Sequence, residues 1–203
     1  MICILVTGIP ASGKSALAEF LSKRLALPMM SKDKIKELLF DTVGFQSRAE
    51  KVALGNGSME ILYYFAEQMM KLNKPFILEN NFERSSKEGI ERLLAQYGYQ
   101  ALTLCLTGNY EVIYRRYAER NTAPERHRGH VLNSCYPEPE GVHAMPAPPT
   151  LEQFVSSIQA RGMTDFSVGG KRLEIDTSDF GKVDYEKIAI WVEQELRQAA
   201  KLA

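Results

Sequence analysis

The chain has 203 residues, 45% of them hydrophobic and 25% charged, which is typical of an ordinary globular protein. Its 25 basic residues balance 25 acidic ones, so no overall field attracts nucleic acid or an anionic membrane. No apolar stretch approaches the roughly 20 residues that cross a bilayer. The first strand-like run starts at residue 2 and leaves no n-region for a signal peptide. We therefore expect one cytoplasmic domain over 1–203.

The first predicted element is a strand at 2–7, followed directly by a glycine-containing loop. Residues 8–15 read Gly-Ile-Pro-Ala-Ser-Gly-Lys-Ser, the pattern G-x-x-x-x-G-K-[ST], and a helical pattern covers 14–26. The glycines let backbone N–H groups turn inward onto a polyphosphate, at a helix N-terminus that also favours anions. Lys14 would reach the β- and γ-phosphates, and the Ser15 hydroxyl would hold Mg²⁺. The sequence thus predicts a nucleoside triphosphate site, formed by Gly8, Pro10, Ala11, Ser12, Gly13, Lys14, Ser15 and Ala16.

Apolar runs and helical patterns alternate along the rest of the chain. The runs predict strands at 28–30, 75–79, 100–106 and 172–176. The helical patterns cover 32–41, 47–72, 84–97, 109–120, 151–161 and 184–200, and Gly55-Asn56-Gly57 predicts a break within 47–72. Short strands separated by helices imply a parallel sheet covered on both faces. Functional residues are then expected just after residues 7, 30, 79, 106 and 176, at the carboxyl ends of the strands.

Asp33 follows the second predicted strand and stands at the start of a helix. A phosphoryl acceptor needs a carboxylate that takes or orients the proton of its hydroxyl, and Asp33 is the candidate for this base. Lys36 comes one helical turn later on the same side and could hold an anionic part of the acceptor. Both have plainer interpretations. Asp33 could be a helix N-cap or first-turn acid, and Lys36 a solvated lysine beside Lys32 and Lys34.

The third predicted strand ends at Glu79. Phosphate-loop proteins commonly carry an acid at this place that binds Mg²⁺ directly or through water, so Ser15 and Glu79 are the candidate metal ligands. Asn80 and Asn81 follow, and their amides could hydrogen-bond the acceptor or simply cap a turn.

Arg116 and Arg120 stand four residues apart in the 109–120 helix and share one face. One guanidinium could stack on a nucleobase while the other reaches the transferring phosphate. The alternative is an exposed helix with ion pairs along it, such as one between Arg115 and Glu119.

Residues 121–150 break the alternation, with six prolines, three histidines and no apolar periodicity. A loop of this length inside a compact domain is usually functional or disordered. Because it follows the arginine-bearing helix, we predict a lid in which Arg126 helps to bind the acceptor. His127, His130 and His143 lack an accompanying cysteine or acid pattern, so we expect no metal site there.

The last predicted strand leads into Asp176-Thr-Ser-Asp-Phe180, a loop expected to lie across from the arginine helix. Thr177 could contact the base of the nucleotide there, or only begin a turn.

The three cysteines, Cys3, Cys105 and Cys135, are an odd number without metal-ligand spacing. The first two lie in apolar strand-like runs, so they are expected to be buried free thiols. A reducing cytosol fits this pattern.

These residues together resemble the small P-loop kinases that include the 5′-kinase domain of polynucleotide kinases, the zeta toxins and chloramphenicol phosphotransferase. The chain is also similar to bacterial proteins described broadly as kinases or AAA-type ATP-binding proteins. In the polynucleotide kinase branch an Arg-Asp pair stands in place of Lys32-Asp33, with its Asp as the base. A second arginine of that branch, which binds substrate phosphate, stands in place of Lys36. The shared pattern covers nearly the whole chain: 8–15, Lys32-Asp33, Lys36, Glu79, Arg116, Arg120 and 172–180.

The resemblance implies an α/β fold of the P-loop NTPase kind. Its three α/β/α layers would surround a five-stranded parallel sheet of order 2-3-1-4-5, with a lid at 121–150. It also implies ATP-dependent transfer of the γ-phosphoryl group, with Mg²⁺, to a hydroxyl of a small-molecule or nucleotide-like acceptor. Lys14, Asp33 and Arg120 would be the catalytic residues. We expect no membrane partner and a monomer or a dimer.

Two alternatives remain open at this point. Lysines replace both substrate-side arginines of the polynucleotide kinase branch, and Glu79 stands where an aspartate is usual. The first alternative is a polynucleotide 5′-hydroxyl kinase. The replaced arginines and the neutral net charge disfavour it, so nucleic acid is a less favoured partner. The second alternative is a regulatory binder that hydrolyses ATP slowly and has no acceptor.

Overall fold

The computed structural model describes residues 1–144 and 146–201; Met145 of the predicted lid, and Leu202 and Ala203 at the end of the predicted domain, lie outside these ranges. The elements in chain order are β1 (Ile2–Gly8), α1 (Lys14–Leu25), β2 (Met29–Ser31), α2 (Lys32–Thr42), α3 (Arg48–Lys71), β3 (Phe76–Glu79), α4 (Arg84–Tyr97), β4 (Gln100–Thr107), α5 (Tyr110–Thr122), α6 (Arg128–Val131), α7 (Leu151–Arg161), β5 (Lys171–Asp176), a 3-10 turn (Phe180–Lys182) and α8 (Tyr185–Lys201).

The five strands form one parallel sheet in the order β2-β3-β1-β4-β5, so the predicted order is confirmed. The register pairs Val6 of β1 and Ser31 of β2 with Glu79 of β3. The carboxyl ends of these three strands therefore meet at one edge of the sheet, which is where ligands bind in folds of this kind.

Helices cover the sheet on both faces, which gives the predicted three layers. The central strand β1 is buried along its whole length, as expected for a parallel sheet with helices on both sides. Cys3 and Leu5 face a core formed with α3 and α4, whereas Ile2, Ile4 and Val6 face a core formed with α1 and α8. The alternation of side chains along β1 thus divides the interior into two clusters.

The predicted break at Gly55-Asn56-Gly57 is wrong, because α3 runs without interruption from Arg48 to Lys71. Ser47 caps its N-terminus by accepting from the Glu50 N–H, and Leu62 and Ala66 are fully buried against the sheet. Each glycine costs a helix about 1 kcal/mol relative to alanine. Burial of the apolar face contributes more than this cost, since one buried leucine is worth about 2 kcal/mol.

Replacing Gly57 with alanine is expected to raise the free energy of unfolding by about 1 kcal/mol, since the new methyl group adds helix propensity. No heavy atom lies within 4 Å of a Cβ built at this position. Thermal unfolding should show a rise of about 3 °C. The control is Gly89→Ala in α4, where the same Cβ would lie 2.4 Å from the Tyr63 ring. An unchanged or lower melting temperature for Gly57→Ala would contradict the prediction.

Part of the predicted lid packs against α2 and α3. Phe40, Phe45 and Leu132 form a small buried cluster, and Phe45 pairs with Tyr136 through their backbones. We call residues 127–138, which include α6, the docked segment.

The docked segment also carries two of the three histidines from the predicted lid. His127 Nε2 lies 3.0 Å from Asp41 Oδ1, and His130 Nε2 lies 3.1 Å from Glu37 Oε1. These histidines therefore bind carboxylates of α2.

Cys3 and Cys105 are buried free thiols, as predicted, and Cys135 is half-buried within the docked segment. Among the helices of residues 1–144 and 146–201, none has the length and apolar character needed to span a bilayer.

Candidate active site

The predicted phosphate-binding loop connects β1 to α1 at the carboxyl edge of the sheet. Its first glycine, Gly8, has φ +141°, and a Cβ there would lie 2.1 Å from the Leu106 carbonyl oxygen. Gly13 has φ +90° and lies against the Phe180 ring. A side chain at either position would collide with its neighbour, so the loop keeps its curl only with these two glycines.

Lys14 is buried in this loop, with 7% of its surface exposed. Its Nζ donates a hydrogen bond of 2.8 Å to the Ile9 carbonyl. Burial lowers the pKa of Lys14 to about 8, although the nearby carboxylates of Glu79 and Asp33 act to raise it. The loop thus holds a cation with few hydrogen-bond partners, and a bound phosphate group would supply more of them.

Glu79 ends β3 and lies directly beside the loop, with 3% of its surface exposed. Ser31 Oγ donates to Glu79 Oε2 at 2.5 Å, and the Ser15 side chain lines the same cavity as Glu79. Burial raises the pKa of Glu79, opposed by the charge of Lys14. A hydroxyl and a carboxylate are the hard oxygen donors that Mg²⁺ takes in proteins.

No group of three His, Cys, Asp or Glu residues able to hold a metal ion occurs within the described ranges. Mg²⁺ commonly takes one or two protein ligands and completes its shell with water and substrate phosphates. Ser15 and Glu79 fit that role, because these two oxygen-bearing side chains line the same cavity as Lys14.

Asp33 lies in the first turn of α2, and the N-cap of this helix is Ser31, whose hydroxyl accepts from the Lys34 N–H. Asp33 is therefore not the N-cap, whereas the alternative prediction of a first-turn acid is confirmed. Burial acts to raise the pKa of Asp33, but the positive charges of His130, Lys36, Arg126 and Lys14 more than reverse this and lower it. The carboxyl group is thus ionised at neutral pH.

Arg116 of α5 binds the loop after β5. Its Nη1 donates to the Thr177 carbonyl at 2.5 Å and its Nη2 to the Ser178 carbonyl at 2.7 Å. The guanidinium lies 3.9 Å from the centroid of the Phe180 ring, a cation–π contact. Within the described residues, the alternative ion pair between Arg115 and Glu119 does not form.

Arg120 and Arg126 line one common cavity, and each has a donor without a partner among the described residues. In the described part of the chain, the Nε of each is buried and has no hydrogen-bond partner. Burial lowers the pKa of Arg120, and the charge of Arg126 adds to this. Buried donors without partners are costly, so these two point to an anion that binds between them.

These residues meet in two adjoining cavities. The first, of about 320 Å³, is lined by Pro10, Ala11, Gly13, Lys14, Ser15, Ala16, Asp33, Glu79, Asn81, Arg116, Arg120 and Phe180. The second, of about 170 Å³, shares Asp33, Asn81 and Arg120 with the first and adds Lys36, Asn80 and Arg126. We call them the phosphate cavity and the acceptor cavity.

Three of the residues assigned to the nucleotide lie outside the lining of both cavities: Gly8, Ser12 and Thr177. Gly8 and Ser12 shape the loop, and Ser12 is fully buried. Thr177 is 1% exposed and its hydroxyl donates to the Thr107 carbonyl at 2.9 Å. Its side chain therefore fixes the loop after β5 and does not face the phosphate cavity.

Sequence reasoning missed Phe180 and Arg161. Phe180 follows the loop after β5 and lines the phosphate cavity, and Arg161 ends α7 and lines the acceptor cavity. The signal for Phe180 was available, since an aromatic residue in that loop faces the arginine helix. Arg161 is 128 residues from Asp33 in sequence, and no motif connects the two.

A family model described as AAA domain matches residues 3–134, which is more than half of the chain. A search of curated proteins finds no match.

Solved structures similar to this chain include proteins named as kinases. A protein from Chloroflexus aurantiacus j-10-fl, provisionally named a kinase, is 24% identical with a TM-score of 0.71, covering 97% of this chain and 96% of its own. A sugar kinase from Janibacter sp. HTCC2649 is 15% identical with a TM-score of 0.57, covering 100% and 98%. Shikimate kinase from Bacteroides thetaiotaomicron is 14% identical with a TM-score of 0.52, covering 97% and 98%. At these identities the similarity shows a P-loop kinase-like fold.

Proposed function

This chain belongs to the AAA domain family, and from that premise we propose that it is an ATP-dependent kinase that phosphorylates a hydroxyl of a small-molecule acceptor. The observation that carries the proposal is the lining of the phosphate cavity. Lys14 of the loop, Asp33 of α2 and Arg120 of α5 face one space of about 320 Å³. A phosphate, a base and a second cation can therefore meet at one point, as phosphoryl transfer requires.

The nucleotide would bind along the loop. Backbone N–H groups of the loop and the start of α1 would hold the phosphates, with Lys14 beside the β- and γ-phosphates. Arg116 and Phe180 line the same cavity at the loop after β5, and these two side chains in contact offer a surface for the base. Bound Mg²⁺, held by Ser15 and Glu79, would neutralise charge on the phosphate oxygens.

Asp33 would act on the acceptor. Its ionised carboxylate takes the proton of the acceptor hydroxyl, while that oxygen forms a bond to the γ-phosphorus and the bond to the β–γ bridging oxygen breaks. The unpaired Nε groups of Arg120 and Arg126 would donate to the transferring group. In the acceptor cavity, Asn80 and Asn81 supply amides that can position the rest of the acceptor.

We propose that the predicted lid takes part in binding the acceptor. Arg126 stands directly before the docked segment, which packs on α2, and α2 carries Asp33. Residues 121–150 would thus cover the acceptor cavity as part of a single domain.

Names of the similar structures support a small acceptor. Two of them are named a sugar kinase and a shikimate kinase, both enzymes that act on small alcohols.

The kcat/KM for ATP is expected to fall as pH rises through about 8, because burial lowers the pKa of Lys14 in the free protein to about 8. Above this pH the lysine loses the positive charge that attracts the phosphates. Bound phosphates raise its pKa again, so kcat should stay flatter over the same range. Initial-rate measurements between roughly pH 6 and pH 10 test this. A kcat/KM that stays level up to pH 10 would disprove the assignment of the expected decrease to Lys14.

The decisive experiment is Mg²⁺-dependent transfer of labelled γ-phosphate from ATP to a pool of small alcohols and to 5′-hydroxyl oligonucleotides. Label on a small alcohol supports the proposed kinase. Label on oligonucleotide ends would overturn the small-molecule acceptor. Stable binding of ATP with no labelled acceptor would overturn the kinase and favour a nucleotide-dependent regulatory binder.

A further inference from the structure

A third cavity adjoins the acceptor cavity on the side away from the phosphate-binding loop. It measures about 310 Å³ and lies between α2, α3, α5, the end of α7, the docked segment and residues 146–149. Both this space and the acceptor cavity are lined by Lys36, Tyr117, His130 and Arg161, so the two are adjacent. We call it the distal cavity.

Positive charge dominates these two spaces. Seven lysines and arginines and only two carboxylates, Asp33 and Glu83, occur among the described residues that line them. Arg161 is paired with Glu83 through two hydrogen bonds. The net charge of the whole chain is zero, so this concentration of cations is local.

Lys36 and Arg48 have no acidic partner within the described ranges. Lys36 Nζ lies 5.4 Å from the centroid of the Phe40 ring, and Arg48 Nη1 donates to Asn133 Oδ1 at 3.1 Å. Neither forms an ion pair there, whereas the neighbouring Lys34 pairs with Glu37. Two cations in a concave site without carboxylates can receive an anion without breaking an existing ion pair.

Lys51 adds a third basic side chain at the back of the distal cavity. It is 4% exposed, and its Nζ donates to the carbonyls of His130 and Leu132 and, at 3.3 Å, to Asn133 Oδ1. Burial lowers its pKa to about 7, and the charges of Lys36, Arg48 and Arg126 add to this. A nearby anion would stabilise its charged form.

We propose that the distal cavity binds a phosphate group already present on the acceptor, so that the substrate class is a phosphorylated alcohol. This inference rests on the proposed kinase function. A single carboxylate would offset one charge, whereas Lys36 and Arg48 carry two that only neutral groups contact, and Lys51 lies behind them. A phosphate monoester carries nearly two negative charges and three acceptor oxygens.

The geometry of α2 sets the scale of such an acceptor. Lys36 stands three residues after Asp33, which is about 4.5 Å along the helix axis. A molecule with its hydroxyl at Asp33 and its phosphate between Lys36 and Arg48 would therefore be small and would bridge the two cavities. The product would carry a phosphate at each end.

Titration calorimetry tests the anion site apart from the reaction. Inorganic phosphate is titrated into protein saturated with Mg²⁺ and a non-hydrolysable ATP analogue, which fills the phosphate-binding loop. We expect one phosphate per chain and binding at least tenfold weaker in Lys36→Gln/Arg48→Gln. The control Lys87→Gln/Arg92→Gln removes the same charge from the exposed face of α4 and should bind phosphate as the unmodified protein does. Equal phosphate binding by both double variants, or none by the unmodified protein, would overturn the inference.

Transfer assays test the substrate class with matched pairs of acceptors. Glycerol is compared with glycerol 3-phosphate, and ribose with ribose 5-phosphate. Glycerate and 5′-hydroxyl oligonucleotides are tested beside these pairs as a carboxylate acceptor and a nucleic acid acceptor. We expect kcat/KM to be at least 100-fold higher for a phosphorylated alcohol than for its parent, with most of this gain lost in Lys36→Gln/Arg48→Gln. Preference for the parent alcohols, the carboxylate or the oligonucleotide would overturn the inference while leaving the kinase intact. Failure of every acceptor would instead count against the proposed function, whatever the calorimetry shows.

Discussion

Lys14→Ala is expected to lower kcat/KM for ATP by about 10³-fold or more, because it removes the cation that faces the transferring phosphate. Lys14 is the buried cation of the phosphate-binding loop, and its Nζ contacts the Ile9 carbonyl. Its burial lowers its pKa, so charging this lysine costs the folded protein free energy. The melting temperature of Lys14→Ala should therefore not fall below that of the unmodified protein, and the loss should lie in phosphate transfer.

Lys23→Ala is the matched control for this prediction. Lys23 stands in the last turn of the same helix, α1, and is exposed. Its replacement should leave both the rate of transfer and ATP binding unchanged. Retention of more than about a tenth of the activity in Lys14→Ala would show that the loop lysine does not stabilise the transition state.

Asp33→Asn is expected to lower kcat by about 10²- to 10⁴-fold and to leave the binding of ATP intact. The amide keeps the shape of the side chain but cannot take the proton of the acceptor hydroxyl. Asp33 lines both the phosphate and the acceptor cavity, so it can contact an acceptor next to the γ-phosphate. Single-turnover kinetics, with ATP binding measured separately by calorimetry, would distinguish a lost base from a lost nucleotide site.

The matched control is Asp41→Asn, on the same helix but outside the two cavities. Asp41 hydrogen-bonds to His127 and Tyr136 of the docked segment, and its side chain is 54% exposed. Its replacement should change kcat by less than about threefold, since exposed pairs of this kind contribute less than 1 kcal/mol. A normal kcat in Asp33→Asn would remove this residue from the proposed mechanism.

Local patterns predicted most of the fold. The five strands were found within two residues of their observed ends, because continuous apolar runs between helical patterns are a strong signal of a buried parallel sheet. The error at Gly55 and Gly57 came from reading helix propensity alone. Burial of Leu62 and Ala66 decides that α3 continues, and this depends on contacts distant in sequence.

The phosphate side of the site was predictable because its residues form a contiguous motif at 8–15. The acceptor side was only partly predictable. Asp33 and Lys36 follow a strand end and could be inferred from the topology. Arg48 and Arg161 belong to helices whose ends approach the cavity only after folding, so no spacing in the sequence connects them with Asp33.

The unequal burial of the three cysteines makes the docked segment directly observable. Thiol reagents attack the thiolate, and burial both raises the pKa of Cys3 and Cys105 and shields them. Cys135 is half-buried and stands next to Tyr136, whose backbone pairs with Phe45. One fluorophore attached to Cys135 of the unmodified chain would therefore report, by its emission or anisotropy, how the docked segment responds when ATP or an acceptor binds.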